Sequence, residues 1–289
     1  MYASVRDDIV FLGGFSSIAE GLNELGFNAV ELIIEKDYTV SPIFGRNDRL
    51  NVSSDAGLAE LKNQLAKASA KVSAFLMGNN FGSDDLDGEI EWAVKTIQVA
   101  ARLGVPAVRI DAAMQGESEL PLEKRVEIFA GAMARILEAT DGLDVDMGIE
   151  NHSFQGNQPE FLDMLMEKVG SPRLGLTLDT GNFYWAGFPL DKVYEILEHL
   201  APKAKHTHVK NINYPAEFRN VQRELGWEYQ KYMSPIKEGD IDHARVLSIL
   251  KKAGYDRDFC LEDESLWRFP KEERGAILKR DADYFREIL

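Results

Sequence analysis

Eight short runs rich in β-branched and aliphatic residues, separated by longer segments with helical periodicity, constrain this chain more than any other feature. The runs are Val5 to Phe11, Ala29 to Ile34, Lys71 to Met77, Ala107 to Ile110, Asp146 to Glu150, Leu174 to Asp179, Ala204 to Val209 and Asp258 to Glu262. Helices are expected between and after them, over Ser16 to Leu25, Ser54 to Ala70, Glu89 to Leu103, Leu122 to Glu138, Pro159 to Val169, Leu190 to Leu200, Asp242 to Ala253 and Glu272 to Leu289. Gly26, Gly104 and Gly254 each stand between a helix and the next strand, where a left-handed cap ends a helix cheaply. Such alternation specifies parallel βα units. Eight units in 289 residues suit a single-domain α/β chain folded as a (β/α)8 TIM barrel. A doubly wound sheet would more often carry fewer strands and an early Gly-rich phosphate turn, and Gly13-Gly14 lacks the full G-x-G-x-x-G spacing.

No Ser/Pro-rich linker divides residues 1–289. The longest connection without strand character, about residues 211–239, holds Arg219, Arg223, Trp227, Tyr229 and Tyr232 and is expected to form a lid-like insertion over a site. Lys plus Arg number 33 against 48 Asp plus Glu, a formal charge of -15, which disfavours nucleic acid and anionic membranes as partners. One cysteine, Cys260, permits neither an intrachain disulfide nor a thiolate cluster, and reads as a small buried residue. With no basic segment and long apolar stretch at the N-terminus, a cytoplasmic location is expected.

In a barrel the C-terminal ends of the strands converge on one mouth, so those ends are read for chemistry. The fifth run ends Gly148-Ile149-Glu150-Asn151-His152 and the sixth Leu178-Asp179-Thr180-Gly181-Asn182; the seventh reads His206-Thr207-His208-Val209-Lys210 and the eighth ends Leu261-Glu262-Asp263-Glu264. Glu150, Asp179 and Glu262 each close an apolar run, and three converging carboxylates repel unless a cation joins them. With His208 they form an O3N donor set suited to Mn2+ or Mg2+, with Co2+ or Zn2+ as further candidates. The alternative is a structural network of the carboxylates with Lys210 and Arg109.

These motifs, in this order and with Gly26-Phe27-Asn28-Ala29-Val30-Glu31-Leu32 before them, resemble the xylose-isomerase-like barrel superfamily. Within it the match is to the sugar phosphate isomerase/epimerase group, which includes ketose 3-epimerases and inosose dehydratase. The resemblance implies one divalent metal, with Mn2+ the leading candidate, on Glu150, Asp179, His208 and Glu262, and Glu150 and Glu262 as the proton-transfer pair. It also implies a sugar or keto-sugar substrate and a homo-oligomer. Asn182 stands where the ketose epimerases commonly continue to a histidine, and an amide cannot carry a proton at neutral pH. The apurinic endonuclease branch has an additional zinc-binding histidine at a similar position, so DNA repair is disfavoured.

Further candidates surround this set. His152 is read as an acid/base or as a histidine orienting a carboxylate. Lys210, Arg109, Asn182, His206 and Arg219 are candidate substrate contacts, with a deeply packed His206 and an Arg109–Glu150 ion pair as the structural alternatives. Phe183, Tyr184 and Trp185 suit either an aromatic wall or the core. His199 and His243 are expected to be solvated on outer helices. The expected activity is proton transfer through an enediolate on a ketose. Elimination from an inosose or 3-keto-glycoside is the alternative, and a non-catalytic sugar-binding barrel the remote one.

Overall fold

The computed structural model describes residues 1–289. Eight strands form the barrel: β1 (Tyr2–Arg6), β2 (Ala29–Ile33), β3 (Lys71–Leu76), β4 (Ala107–Asp111), β5 (Asp146–Glu150), β6 (Leu174–Asp179), β7 (Ala204–His208) and β8 (Asp258–Leu261). Eight longer helices surround it: α1 (Ile18–Leu25), α2 (Asp55–Ala68), α3 (Leu86–Leu103), α4 (Leu122–Ala139), α5 (Pro159–Val169), α6 (Leu190–Leu200), α7 (His243–Lys252) and α8 (Lys271–Ile288). All strand pairs are parallel, in the order β8-β1-β2-β3-β4-β5-β6-β7. A parallel bridge between Val209 and Leu261 draws β7 against β8, and the Glu262 amide donates to the Val209 carbonyl at 3.0 Å. The chain is a single-domain TIM barrel. No helix is long and apolar enough to cross a membrane.

The local rules that build the elements are visible at their ends. Ser17, Ser54, Asp85 and Asp242 accept hydrogen bonds from the first-turn amides of α1, α2, α3 and α7. Gly26 and Gly104 close α1 and α3 at φ of 69° and 71°. Between strands and helices lies a continuous apolar layer. In it Phe129 of α4 makes edge-to-face contacts with Phe81 and with Phe161 of α5, and Phe259 of β8 lies 4.9 Å from Phe285 of α8.

The structure corrects the first expected strand. β1 ends at Arg6, and Asp7–Leu12 is a short helix rather than the continuation of a strand. Two carboxylates in a row favour a helix N-terminus, and Asp8 Oδ1 accepts the Ile9 amide at 2.9 Å. A second correction concerns His243, which is not solvated but fully buried at the start of α7. Its Nε2 lies 3.2 Å from Thr180 Oγ1 and its ring packs near Phe259. His199 is exposed on α6 as expected, beside Asp163.

Burial outweighs the Lys210 carbonyl and the neighbouring Asp242 charge and lowers the His243 pKa to about 4, so the native imidazole is neutral. Its contribution to stability is therefore complete above the unfolded value near 6.5 and is lost as pH falls toward 4. That loss is on the order of 3 kcal/mol. Urea midpoints taken from pH 7 to pH 4 should fall less steeply for His243→Gln than for the parent chain. Parallel curves would show that this imidazole does not drive the acid limb.

Gly148, two residues before Glu150, permits β5 and β6 to approach. A Cβ there would lie 2.4 Å from Thr177 Oγ1 and 2.8 Å from the Thr177 backbone nitrogen. Gly148→Ala should lower the unfolding free energy by about 1–3 kcal/mol. An unchanged denaturation midpoint would mean that the strands separate without strain.

Candidate active site

Because strand side chains alternate, the inward residues of β5 to β8 rise to the same mouth. Glu150 ends β5, Asp179 ends β6, His208 ends β7 and Glu262 follows β8. All four are buried, and one potential ligand atom from each lies within 4.8 Å of the other three. His208 Nδ1 is 3.4 Å from Glu150 Oε1 and 3.6 Å from Glu262 Oε2.

Each carboxylate is held by a cationic side chain at the rim of the barrel. Arg109 on β4 pairs with Glu150, reaches Asp111 at 3.1 Å and donates to the Met77 carbonyl at 2.6 Å. Arg6, at the end of β1, bridges Glu262 and Asp8. Lys210 lies 3.2 Å from Asp179, 3.5 Å from Glu262 and 3.3 Å from Glu264. Asp179 Oδ1 also accepts the Gly181 and Asn182 amides, both at 2.7 Å. Asn151 braces the adjoining backbone by donating to the Asp179 carbonyl and accepting its amide.

Burial pushes the Glu150 carboxyl upward, yet Arg109 and His208 outweigh it and hold the group well below the usual carboxylate range. Asp179 moves the other way: burial, with the nearby Glu150 charge, raises it despite Lys210.

The donor set fits a divalent cation. Asp179 Oδ2, His208 Nδ1 and Glu262 Oε2 are buried polar atoms with no hydrogen-bond partner, although the Lys210 ammonium stands 3.2 Å from the first and 3.5 Å from the third. Such atoms are costly to leave unsatisfied, and all three face the same centre. The His208 ring is oriented from behind, where its Nε2 is 2.8 Å from Glu31 Oε2, and this contact directs Nδ1 toward the cluster.

Beneath the centre runs a buried chain of charges. Glu31 on β2 also meets His206 Nε2 at 2.9 Å, and His206 Nδ1 lies 2.8 Å from Asp258. Burial opposes charging His206, but Asp258 and Glu31 together raise its pKa well above the ordinary value. Both nitrogens are engaged and the ring is fully buried, so His206 is a packed histidine and not a substrate contact. Glu31, His206 and Cys260 also cluster, yet burial pushes the Cys260 thiol up to about 12, leaving a neutral, weak ligand.

Other candidates fall into place around this frame. His152 pairs through Nδ1 with Asp111 at 3.0 Å and leaves a partly exposed ring at the mouth. Asn182 donates to Glu150 Oε1 at 3.1 Å. Arg109 takes its structural reading, an ion pair with Glu150. Arg219 does not reach the mouth: its Nε is 2.8 Å from Asp240 and donates to the Tyr214 carbonyl. Phe183 and Tyr184 are fully buried and belong to the core. Arg6, Glu31, Asp111 and Glu264 were not singled out from the sequence. Their signals were charges at strand ends and one carboxylate inside the apolar run of β2.

The segment from Asn211 to Gly239 is built on a small antiparallel pairing of Asn211–Ile212 with Met233–Ser234. The Arg223 guanidinium stacks between Tyr184 and Tyr214, 4.5 and 4.3 Å from their ring centres. Tyr229 donates to Glu264, which ties the segment to the rim.

Glu31→Gln keeps the shape but replaces an acceptor of two imidazole contacts by an amide. Mn2+ binding measured by calorimetry should weaken by about ten- to a hundredfold. Unchanged affinity would show that Glu31 does not orient His208.

The comparisons with known proteins agree with this architecture. Over 138 residues, 46% of its length, the chain is 27% identical to the uncharacterized protein MJ1311 of Methanocaldococcus jannaschii, and it spans 42% of that relative. Among solved structures, the IolI protein with a binding zinc atom superposes with a TM-score of 0.72 at 16% identity, covering 100% of this chain and 99% of that one. The 3-keto-D-glucoside 4-epimerase YcjR from E. coli gives 0.71 at 12% identity, with 99% of both chains covered. At these identities the likeness concerns the fold alone. Residues 20–288 match the family model described as a xylose isomerase-like TIM barrel, and the chain belongs to that family.

Proposed function

We propose that this chain is a divalent-metal-dependent sugar isomerase or epimerase that moves a proton through an enediolate on a ketose or related keto-sugar. The observation that carries the reading is the placement of Glu150 and Glu262. They arrive from β5 and β8, on different sides of one centre, and each is held by its own arginine. One carboxylate removes the proton α to the carbonyl, and the other returns a proton from the opposite face. A cation on Glu150, Asp179, His208 and Glu262, with Mn2+ suited to the O3N set, would polarise the carbonyl and acidify the neighbouring C–H. Asn182 holds the Glu150 carboxylate, and Asn151 ties the β5 end to the β6 end at Asp179.

Charge pairing favours a neutral reacting ring. Arg109 bridges Glu150 and Asp111, Arg6 bridges Glu262 and Asp8, and Lys210 stands among Asp179, Glu262 and Glu264. None of these cations is left over for a phosphate or carboxylate on the ring itself. The zinc of the IolI structure and the keto-glucoside of the YcjR enzyme support a cation and a keto-sugar here. The segment 211–239, joined to the rim through Tyr229 and Glu264, serves as a cover over the mouth.

A second reading is favoured by one particular pair. Asp111 and His152 place an oriented, partly exposed imidazole beside Glu150. An acid there would protonate a leaving group β to the carbanion, giving a dehydratase or lyase on an inosose or 3-keto-glycoside.

Both readings are separated by one experiment. The chain, stripped of metal and resupplied with Mn2+, is incubated in D2O with ketoses, inososes and a 3-keto-glycoside, and followed by NMR. Metal-dependent deuterium incorporation with an epimeric product supports proton transfer, and loss of a substituent selects elimination. Glu262→Gln, assayed at saturating Mn2+, should lose at least about a hundredfold in exchange. Undiminished turnover in that variant would remove Glu262 from the chemistry.

A further inference from the structure

One cavity lies outside the centre but shares its wall. It has a volume of about 450 Å3 and opens between the short helix Asp7–Leu12 that follows β1, the connection after β2 that carries Arg46, the turn after β8 and the start of α8. That is ample space for a second ring. Asp8 forms part of its lining, and Asp8 is bound to Arg6, which in turn holds Glu262. The cavity is therefore one arginine away from the reacting centre.

Its chemistry differs from that of the mouth. Phe11, Leu12 and Trp267 supply apolar surface, and Trp267 is 68% exposed, the most exposed large hydrophobic residue of the chain. A large aromatic left in water at a cavity edge is a platform for a flat group. Around it stand three cations, Arg46, Lys271 and Arg274. The Arg46 guanidinium lies 4.9 Å from the Phe11 ring and that of Arg274 lies 5.2 Å from the Trp267 ring. Asp8 is the single carboxylate in the lining and is already committed to Arg6. In a chain of net charge -15, this is a local surplus of positive charge set over aromatic rings.

We infer that this cavity binds an aryl group carrying an anion, a carboxylate or a phosphate, as the distal part of a substrate whose sugar ring occupies the metal centre. The flat ring stacks on Trp267 and packs on Leu12. Its anion is taken by Arg46, Lys271 and Arg274, whose planar or flexible donors suit carboxylate and phosphate oxygens. The inference rests on the keto-sugar reading for what lies at the centre. It also reconciles the neutral ring expected there with a charged substrate: the charge belongs to the aglycone.

The cavity is tested by itself. Metal-free chain is titrated with phenyl phosphate, benzoate, phenyl β-glucoside and inorganic phosphate while tryptophan fluorescence is followed, with Trp267→Phe as the control for the signal. Saturable quenching by phenyl phosphate or benzoate, absent in Trp267→Phe, is expected, and the preferred probe identifies the anion. Arg46→Gln and Lys271→Gln, both at exposed positions, should each weaken it by about tenfold. Equal binding of phenyl β-glucoside would overturn the anionic assignment, and equal binding of inorganic phosphate the aryl one. No saturable quenching, or quenching unaffected by the two charge variants, would overturn the site altogether. If the probes fail while metal-dependent exchange persists, only the cavity assignment falls; if exchange fails while the probes bind, only the reaction reading falls.

Discussion

Three carboxylates and one imidazole, buried with their ligand atoms inside 4.8 Å, are the constraint from which the other polar features follow. Like charges at that spacing cannot stay ionised in a poorly hydrated interior without compensation. The chain compensates twice. Arg109, Arg6 and Lys210 offset Glu150, Glu262 and Asp179 respectively, and the unpartnered atoms of Asp179, His208 and Glu262 remain directed at a common centre. Lys210 meets part of that charge, 3.2 Å from Asp179 Oδ2 and 3.5 Å from Glu262 Oε2, and with His208 Nδ1 these atoms form a donor set that a divalent cation would fit.

Rigidity comes from the layer below. Asp258, His206, Glu31 and His208 form a continuous buried chain across the barrel, so the tautomer and angle of His208 are set by groups that belong to β2 and β8. Asn151 ties β5 to β6 just where Glu150 and Asp179 leave the sheet. The closed sheet needs close strand approach at these points, which Gly148 permits. Positioning of the clustered groups is thus inherited from strands, while the segment 211–239 meets the rim through Tyr229 and Glu264.

Much of the centre was legible as residue order. Glu150, Asp179, His208 and Glu262 each close an apolar run, and a carboxylate at such a place is conspicuous because burial is expensive. Arg6 was not legible, because the first run was expected to span Val5 to Phe11, which puts the arginine near the start of the strand and away from its C-terminal mouth. The triplet Arg6-Asp7-Asp8 marks the actual end, since the two aspartates begin a helix. Arg219 failed for another reason: proximity along the loop says nothing about which way a long side chain turns, and Asp240 captured it. His243 sits at the first position of an amphipathic helix, where the burial of its face depends on the neighbouring Thr180 and Phe259.

The sequence by itself determined the βα repeat, the single domain and the carboxylates and imidazole at four consecutive strand ends. Those depend on periodicity and on the cost of burying charge, both of which are local and additive along the chain. Only the tertiary structure decided which cation faces which carboxylate, that His206 is spent on Glu31 and Asp258, and that Arg46, Trp267 and Lys271 meet around one cavity beside Arg6. Those pairings join residues as far as 256 positions apart in the chain. Barrel closure brings β1 against β8, and no pattern read within a window of sequence contains that contact.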